Sequence, residues 1–134
     1  MRMPGHRNAA RRLSAIAMIF GLFCLGCSQG PKLGKVSGKL TYKGEPVKYA
    51  AIEFNPIGAG KGSLGWTDEE GEYTAEYVLS RKGALLGEHR VTVRVYPQEG
   101  DEPIPVPAKY GSKSEVVFEV QPGKNRLDIE LDAA

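Results

Sequence analysis

Few side chains in this chain have the type and spacing that does chemistry. Beyond residue 27 the sequence holds one histidine, His89, and no cysteine. A histidine acts as a general base when a Ser or Cys nucleophile is set beside it. His89, in Glu88-His89-Arg90-Val91, has no partner of motif quality, so it reads as a structural or exposed histidine at the entrance of a strand. Asp68, Glu69, Glu70 and Glu72 crowd four carboxylates around Gly71. A calcium loop needs six or more converging oxygens, which so short a turn does not supply alone, and a hairpin turn with solvated acids is the simpler reading. Gly58-Ala59-Gly60-Lys61-Gly62-Ser63 shares glycines and a lysine with phosphate loops but lacks their full frame and the helix that must follow. Trp66, with Tyr73 and Tyr77, offers a platform for stacking a sugar ring, yet alternation puts Trp66 with Leu64 on an inward face. Lys39 and Asn125, in the first and last strands, suggest a Lys-Asn isopeptide bond, but Lys39 faces solvent by parity and no buried carboxylate catalyst is evident. These residues together predict no catalytic site, no cofactor and no required metal.

The chemistry that the sequence does specify lies near its start. Arg2, Arg7, Arg11 and Arg12 precede an apolar run over residues 13–26, with no acid before Glu45. That run is shorter than the ~20 apolar residues of a membrane span, and a basic lead before a short apolar stretch reads as an export signal. It ends in Cys24-Leu25-Gly26-Cys27-Ser28, which resembles the bacterial lipobox, with Cys24 standing where Leu is usual. The resemblance implies cleavage before Cys27 and attachment of diacylglycerol to its sulfur. The alternatives are a secreted protein cut nearby and an uncleaved anchor. Arg11-Arg12 also suggests the twin-arginine route, although Ala10 and Leu13-Ser14 match that signal poorly. The expected layout is a signal peptide over 1–26, a lipidated cysteine and tether over 27–34, and a folded domain over 35–132.

The leader also carries the apparent basicity. The whole chain has a formal net charge of +2, with 18 basic and 16 acidic residues; without the four leader arginines, 14 basic residues remain, a net of −2. A nucleic-acid surface needs clustered surplus Lys and Arg, so that class is set aside. With one cysteine left, and that one carrying lipid, no intramolecular disulfide forms, and stability must come from a core.

Positioning falls to short strands. Seventeen Gly and nine Pro, scattered along the chain, leave little room for long helices. Apolar side chains recur with period two: Val36, Leu40 and Tyr42; Ala50, Ile52 and Phe54; Leu64 and Trp66; Tyr73, Ala75, Tyr77 and Leu79; Val91, Val93 and Val95; Val116, Phe118 and Val120; Leu127, Ile129 and Leu131. Seven strands with turn signals between them predict an all-β fold, a seven-stranded antiparallel β-sandwich, with a small barrel as the rival. The predicted core is Val36, Leu40, Ile52, Phe54, Trp66, Tyr73, Val91, Val93, Val95, Val116, Phe118, Leu127 and Ile129.

Several segments resemble a known family. Gly38-Lys39-Leu40-Thr41-Tyr42-Lys43-Gly44-Glu45-Pro46-Val47 is similar to the opening of carboxypeptidase regulatory-like, or transthyretin-like, domains. Thr67-Asp68-Glu69-Glu70-Gly71-Glu72-Tyr73 resembles their T-D-x-x-G-x-Y hairpin, and Gly87-Glu88-His89-Arg90-Val91-Thr92-Val93 a following strand. Ile104-Pro105-Val106-Pro107-Ala108-Lys109-Tyr110 is similar to a segment of small lipoproteins of this group. The resemblance covers about residues 35–131 and implies a prealbumin-like sandwich without common catalytic residues.

The expected function is that of a non-catalytic, lipid-anchored envelope protein, attached to a membrane through Cys27, outer membrane favoured because Ser28 follows the cysteine. It would serve as a binding or structural accessory module for an envelope protein or glycan. The competing readings are an envelope hydrolase on glycan or peptide, which would need carboxylates across a deep pocket, and a subunit that pairs its sheet edge with a partner. If every connection reverses direction, Lys32, Lys35, Lys61, Arg81, Lys82, Lys124 and Arg126 gather at the end nearest the tether against Glu88. The far end gathers Glu45, Asp68, Glu69, Glu70, Glu72, Glu99, Asp101 and Glu102 against Lys43, Lys48, Lys109 and Lys113. The long Pro97–Ser114 segment then faces outward, with Glu99, Asp101, Glu102, Ile104, Lys109 and Tyr110 as candidate partner contacts.

Overall fold

The computed structural model describes residues 30–132, so the leader and Cys27 lie outside the described residues. The strands are β1 (Leu33–Tyr42), β2 (Glu45–Pro46), β3 (Ala50–Pro56), β4 (Ser63–Trp66), β5 (Glu72–Thr74), β6 (Glu76–Tyr77), β7 (Arg81–Lys82), β8 (Ala84–Leu85), β9 (Gly87–Val95), β10 (Val117–Val120), β11 (Lys124–Arg126) and β12 (Ile129–Glu130). Single 3-10 turns occupy Val78–Ser80 and Ala108–Tyr110. No helix among the described residues is long and apolar enough to cross a membrane.

Two sheets pack on a shared core, the expected all-β sandwich. In the first, β1 is a ten-residue rail: β11 and β12 pair with one edge, parallel to it, and β8, β5 and β2 pair antiparallel with the other. The second runs β10-β9-β3-β4-β6-β7, antiparallel throughout. The run 72–77 changes sheet at Ala75, since β5 pairs with β1 and β6 with β4, so a continuous chain joins one flank of the sandwich. The count thus differs from seven. The expected fourth strand divides into β5 and β6, the last into β11 and β12, the expected loop 80–87 contains β7 and β8, and the turn after the first strand contains β2.

Direction alternates along the whole chain. β3 opposes β4 and β9, β10 opposes β9, and the last strand runs parallel to the first, as the even number of reversals between seven passes requires. Loop 57–62, the 78–86 connection and the Pro122–Gly123 turn therefore sit at the end where β1 starts. The Lys43–Gly44 turn, the 67–71 turn and the Pro97–Pro103 stretch sit at the other.

Parity holds for most of the predicted core. Val36, Leu40, Ile52, Phe54, Tyr73, Val91, Val93 and Ile129 are buried, while Val95, Val116, Phe118 and Leu127 are partly buried against them. Phe54 is the hub, with the rings of Tyr73, His89 and Phe118 each 6.3 Å from its own. Two expectations fail. Trp66 is 55% exposed and Leu64 points outward with it, because β4 turns Ser63 and Gly65 inward instead, as the chain does Thr67 just after it. Leu79, expected on the inner face, is 92% exposed, since the strand ends at Tyr77 and the chain turns there.

Candidate functional site

The turn between β4 and β5 shows why its residues have the types they have. Thr67 Oγ1 accepts the Ala50 N–H at 2.9 Å, tying the turn to β3. Asp68 Oδ1 accepts the N–H groups of Glu70 (3.0 Å) and Glu72 (2.9 Å), so this carboxylate closes the turn rather than holding an ion. Gly71 has φ +76°, and a Cβ there would stand 2.6 Å from the Leu40 carbonyl oxygen. Among the described residues no cluster of three or more His, Cys, Asp or Glu side chains is placed to hold a metal. Beyond the turn, the Tyr73 ring passes through the core and its hydroxyl donates to the Leu127 carbonyl at 2.6 Å. Burial, then the nearby Asp128 carboxylate, hold the Tyr73 hydroxyl well above the usual tyrosine range.

The same ring decides which way Trp66 points. A Cβ on Gly65 would lie 2.9 Å from Tyr73 Cδ2, so only a small residue fits inward there. Ser63 is turned in beside it, donating to the Gly83 carbonyl at 2.8 Å. The large side chains of β4 are therefore forced to the outer face. Trp66 rests against Tyr96, ring centroids 5.6 Å apart at 39°. It also borders an open groove of about 440 Å³, lined further by Leu64, Ser37, Thr74, Asp68, Glu72, Glu76 and Arg126. Arg126 is held by Asp128 at 3.1 Å. Glu72 and Glu76 are exposed and lie four positions apart on one extended run, so their Cα atoms are separated by about 13 Å.

The candidate contacts of the 97–114 segment divide. Glu99, Asp101 and Glu102 are exposed at the end away from the start of β1. Asp101 caps its own turn, accepting the Gln98 N–H at 3.0 Å. Ile104, Lys109 and Tyr110 are half-buried, and Ile104 and Tyr110 pack on the core, so the second half of the segment lies along the sandwich instead of projecting. Ser114 fastens it there, its hydroxyl held between the carbonyls of Val91 and Lys109. Asp101, Glu102 and Ile104, with Tyr42 and Pro46, border a shallow cavity of about 260 Å³. Cys27 lies outside the described residues.

His89 is fully buried; its Nε2 donates to the Leu85 carbonyl at 2.7 Å and Nδ1 meets no partner among the described residues, so it is a core residue. Lys39 and Asn125 are not brought together. Asn125 faces Val36, three positions or about 10 Å from Lys39 along β1. Its amide is engaged with Lys35 and Gln121. Loop 58–62 leads into β4 and not a helix, which removes the phosphate-loop reading. The aromatic platform was legible as residue types, but it is formed by Trp66 with Tyr96, not with Tyr73 and Tyr77, which are buried.

No protein-family model matches the chain, and no curated protein matches its sequence. Among solved structures, the chain is similar to a DUF3823 family protein from Parabacteroides merdae, with TM-score 0.49 and 16% identity over 75% of this chain. The match covers 46% of that protein, so the chain spans less than half its length.

Proposed function

We propose that the protein is a non-catalytic binding module of the bacterial envelope, anchored through lipid on Cys27, and that its groove beside Trp66 takes a saccharide. The observation that carries the reading is the outward Trp66 face at the edge of a groove furnished with hydroxyls, carboxylates and a guanidinium. An exposed indole offers an apolar plane for the C–H face of a sugar ring, and Ser37, Thr74, Glu72, Glu76 and Arg126 are suited to its hydroxyls. Recognition is favoured over hydrolysis because Glu72 and Glu76 are exposed in an open groove, whereas a glycosidase's acid is kept protonated by a shielded site. The basic lead, the apolar run and Gly26-Cys27 support the anchor.

The test is binding of solubilised peptidoglycan and envelope polysaccharide fragments to the detergent-extracted protein, followed by intrinsic fluorescence of its single tryptophan. Saturable change with one glycan class, lost in Trp66→Ala and weakened in Glu72→Gln, is the expected result. No binding by the native protein to any fragment refutes the saccharide assignment, and turnover of a fragment refutes the non-catalytic one. Acylation of Cys27 is read separately, by mass of the N-terminal peptide against Cys27→Ala.

A further inference from the structure

The end of the sandwich where β1 starts carries features its own packing does not use. The Val78–Ser80 turn holds Leu79 and Ser80 both at φ 59°, a left-handed region that side chains with a Cβ rarely enter. The side chain presented there is Leu79, 92% exposed. On loop 57–62, Ile57 is 48% exposed while its N–H is fixed by the Glu88 carbonyl at 3.0 Å. Two aliphatic side chains thus stand on loops of one end. Lys32, Lys61, Arg81, Lys82 and Lys124 are exposed around them, against Glu76 across from Lys82 and the register neighbours Glu88 and Glu119 on one flank. The opposite end carries Asp68, Glu69, Glu70, Asp101 and Glu102 against Lys43 and Lys48.

The chain also enters at the basic end. Arg81 Nη2 donates to the Pro31 carbonyl at 3.3 Å. Pro31 stands four positions after Cys27, a reach of at most about 14 Å. We propose that this end docks on an anionic bilayer, with Leu79 and Ile57 entering the interfacial layer and the basic side chains lying among the headgroups. The tether in this argument rests on the lipid-anchor reading; the apolar tips and the charge do not. A strained turn that projects a leucine gains nothing within the domain. Against lipid it gains apolar burial, and the polarised charge fixes which end faces the surface.

Because Trp66 is the only tryptophan, single reporters are available in a Trp66→Phe background: Leu79→Trp, Ile57→Trp and Glu102→Trp, each at an exposed position. The full chain is expressed in bacteria, extracted from membranes and reconstituted into vesicles of phosphatidylglycerol and brominated phosphatidylcholine. Emission from Leu79→Trp and Ile57→Trp should be quenched about twofold or more, and that from Glu102→Trp should be unchanged. Adding Arg81→Glu with Lys82→Glu, or raising salt, should reverse the quenching. Equal quenching at 79 and 102, or none at 79, overturns the proposal. The mass of the N-terminal peptide reads Cys27 acylation independently. An unacylated chain with the depth pattern keeps the docking surface and removes the lipid anchor, and an acylated chain without it does the reverse. Protein recovered wholly in the soluble fraction overturns both.

Discussion

Gly38→Ala tests the crossing on which the first sheet depends. At this point β1 is approached by the chain between β11 and β12 and by the end of the Tyr73 side chain. A Cβ on residue 38 would stand 1.8 Å from the Leu127 carbonyl oxygen, 2.6 Å from its carbon and 2.8 Å from Tyr73 Oη. Ordinary C···O contacts lie near 3.3–3.6 Å, so the carbonyl must retreat by about 1.5 Å. That displacement breaks the Tyr73 hydroxyl bond to Leu127 (2.6 Å) and the Leu127 N–H bond to Ser37 (2.9 Å). At about 1 kcal/mol for each bond and 1–2 kcal/mol of overpacking strain, the cost is about 3–4 kcal/mol. A domain with total stability of roughly 5–15 kcal/mol survives that loss narrowly. With a urea slope of ~1–1.5 kcal/mol/M, the midpoint followed by circular dichroism should fall by ~2–4 M. Tyr73→Phe removes only the hydroxyl bond and should cost ~1–1.5 kcal/mol. The double variant should cost less than the sum, because both changes act through one carbonyl. A Gly38→Ala midpoint within ~0.5 M of wild type refutes the reasoning.

Three further outcomes follow from the packing. Phe54→Ala should cost ~3–5 kcal/mol and Trp66→Ala less than ~1 kcal/mol in thermal unfolding, since one is buried and the other 55% exposed; the opposite order would return Trp66 to the core. Asn125→Ala removes a side chain that bonds the Lys35 and Gln121 carbonyls and accepts the Gln121 N–H, and should cost ~1–3 kcal/mol, with loss of amide-exchange protection confined to the β10–β11 turn. Burial, aided by Asp128 for Tyr73 and by Glu130 for Tyr110, raises both hydroxyls above the usual tyrosine range. Unfolded tyrosine ionises near pH ~10, so this stabilisation is complete below that pH and declines above it, where the native state binds more protons. Tyr73→Phe should flatten the alkaline fall, and parallel curves from about pH 9 to 11 would remove burial as its cause.

What the sequence revealed depended on how many neighbours shared in setting each strand's faces. In β1, β3 and β9, large apolar and polar residues alternate over several positions, and the inward set is the buried one. The T-D-x-x-G-x-Y run was legible as a turn because Asp68 caps the N–H groups of Glu70 and Glu72 and Gly71 holds φ +76°, both local constraints. The reason for the tyrosine is not local: its hydroxyl partner, Leu127, lies 54 positions away. Nothing in Val78-Leu79-Ser80 announces two left-handed residues, and the alternation from Tyr73 runs on to Leu79 as though the strand continued.

Trp66 was misplaced for the same physical reason that makes it interesting. Period-two reasoning assigns the larger residues of a short strand to the core, which holds where the facing layer leaves room. Here Tyr73 has already filled that room, and its hydroxyl anchor fixes it there, so β4 can present only Ser63 and Gly65 inward. The indole outside is then a consequence of how a tyrosine on the next strand, β5, is held. The groove and the Gly38 crossing are linked through that one ring. A substitution that freed Tyr73 from Leu127 would loosen the wall that keeps β4 in register, so loss of ligand binding in Tyr73→Phe beyond its loss of stability is the expected sign of that link. Binding unchanged in Tyr73→Phe, with Trp66→Ala inactive, would show that β3 pairing alone holds the indole in place.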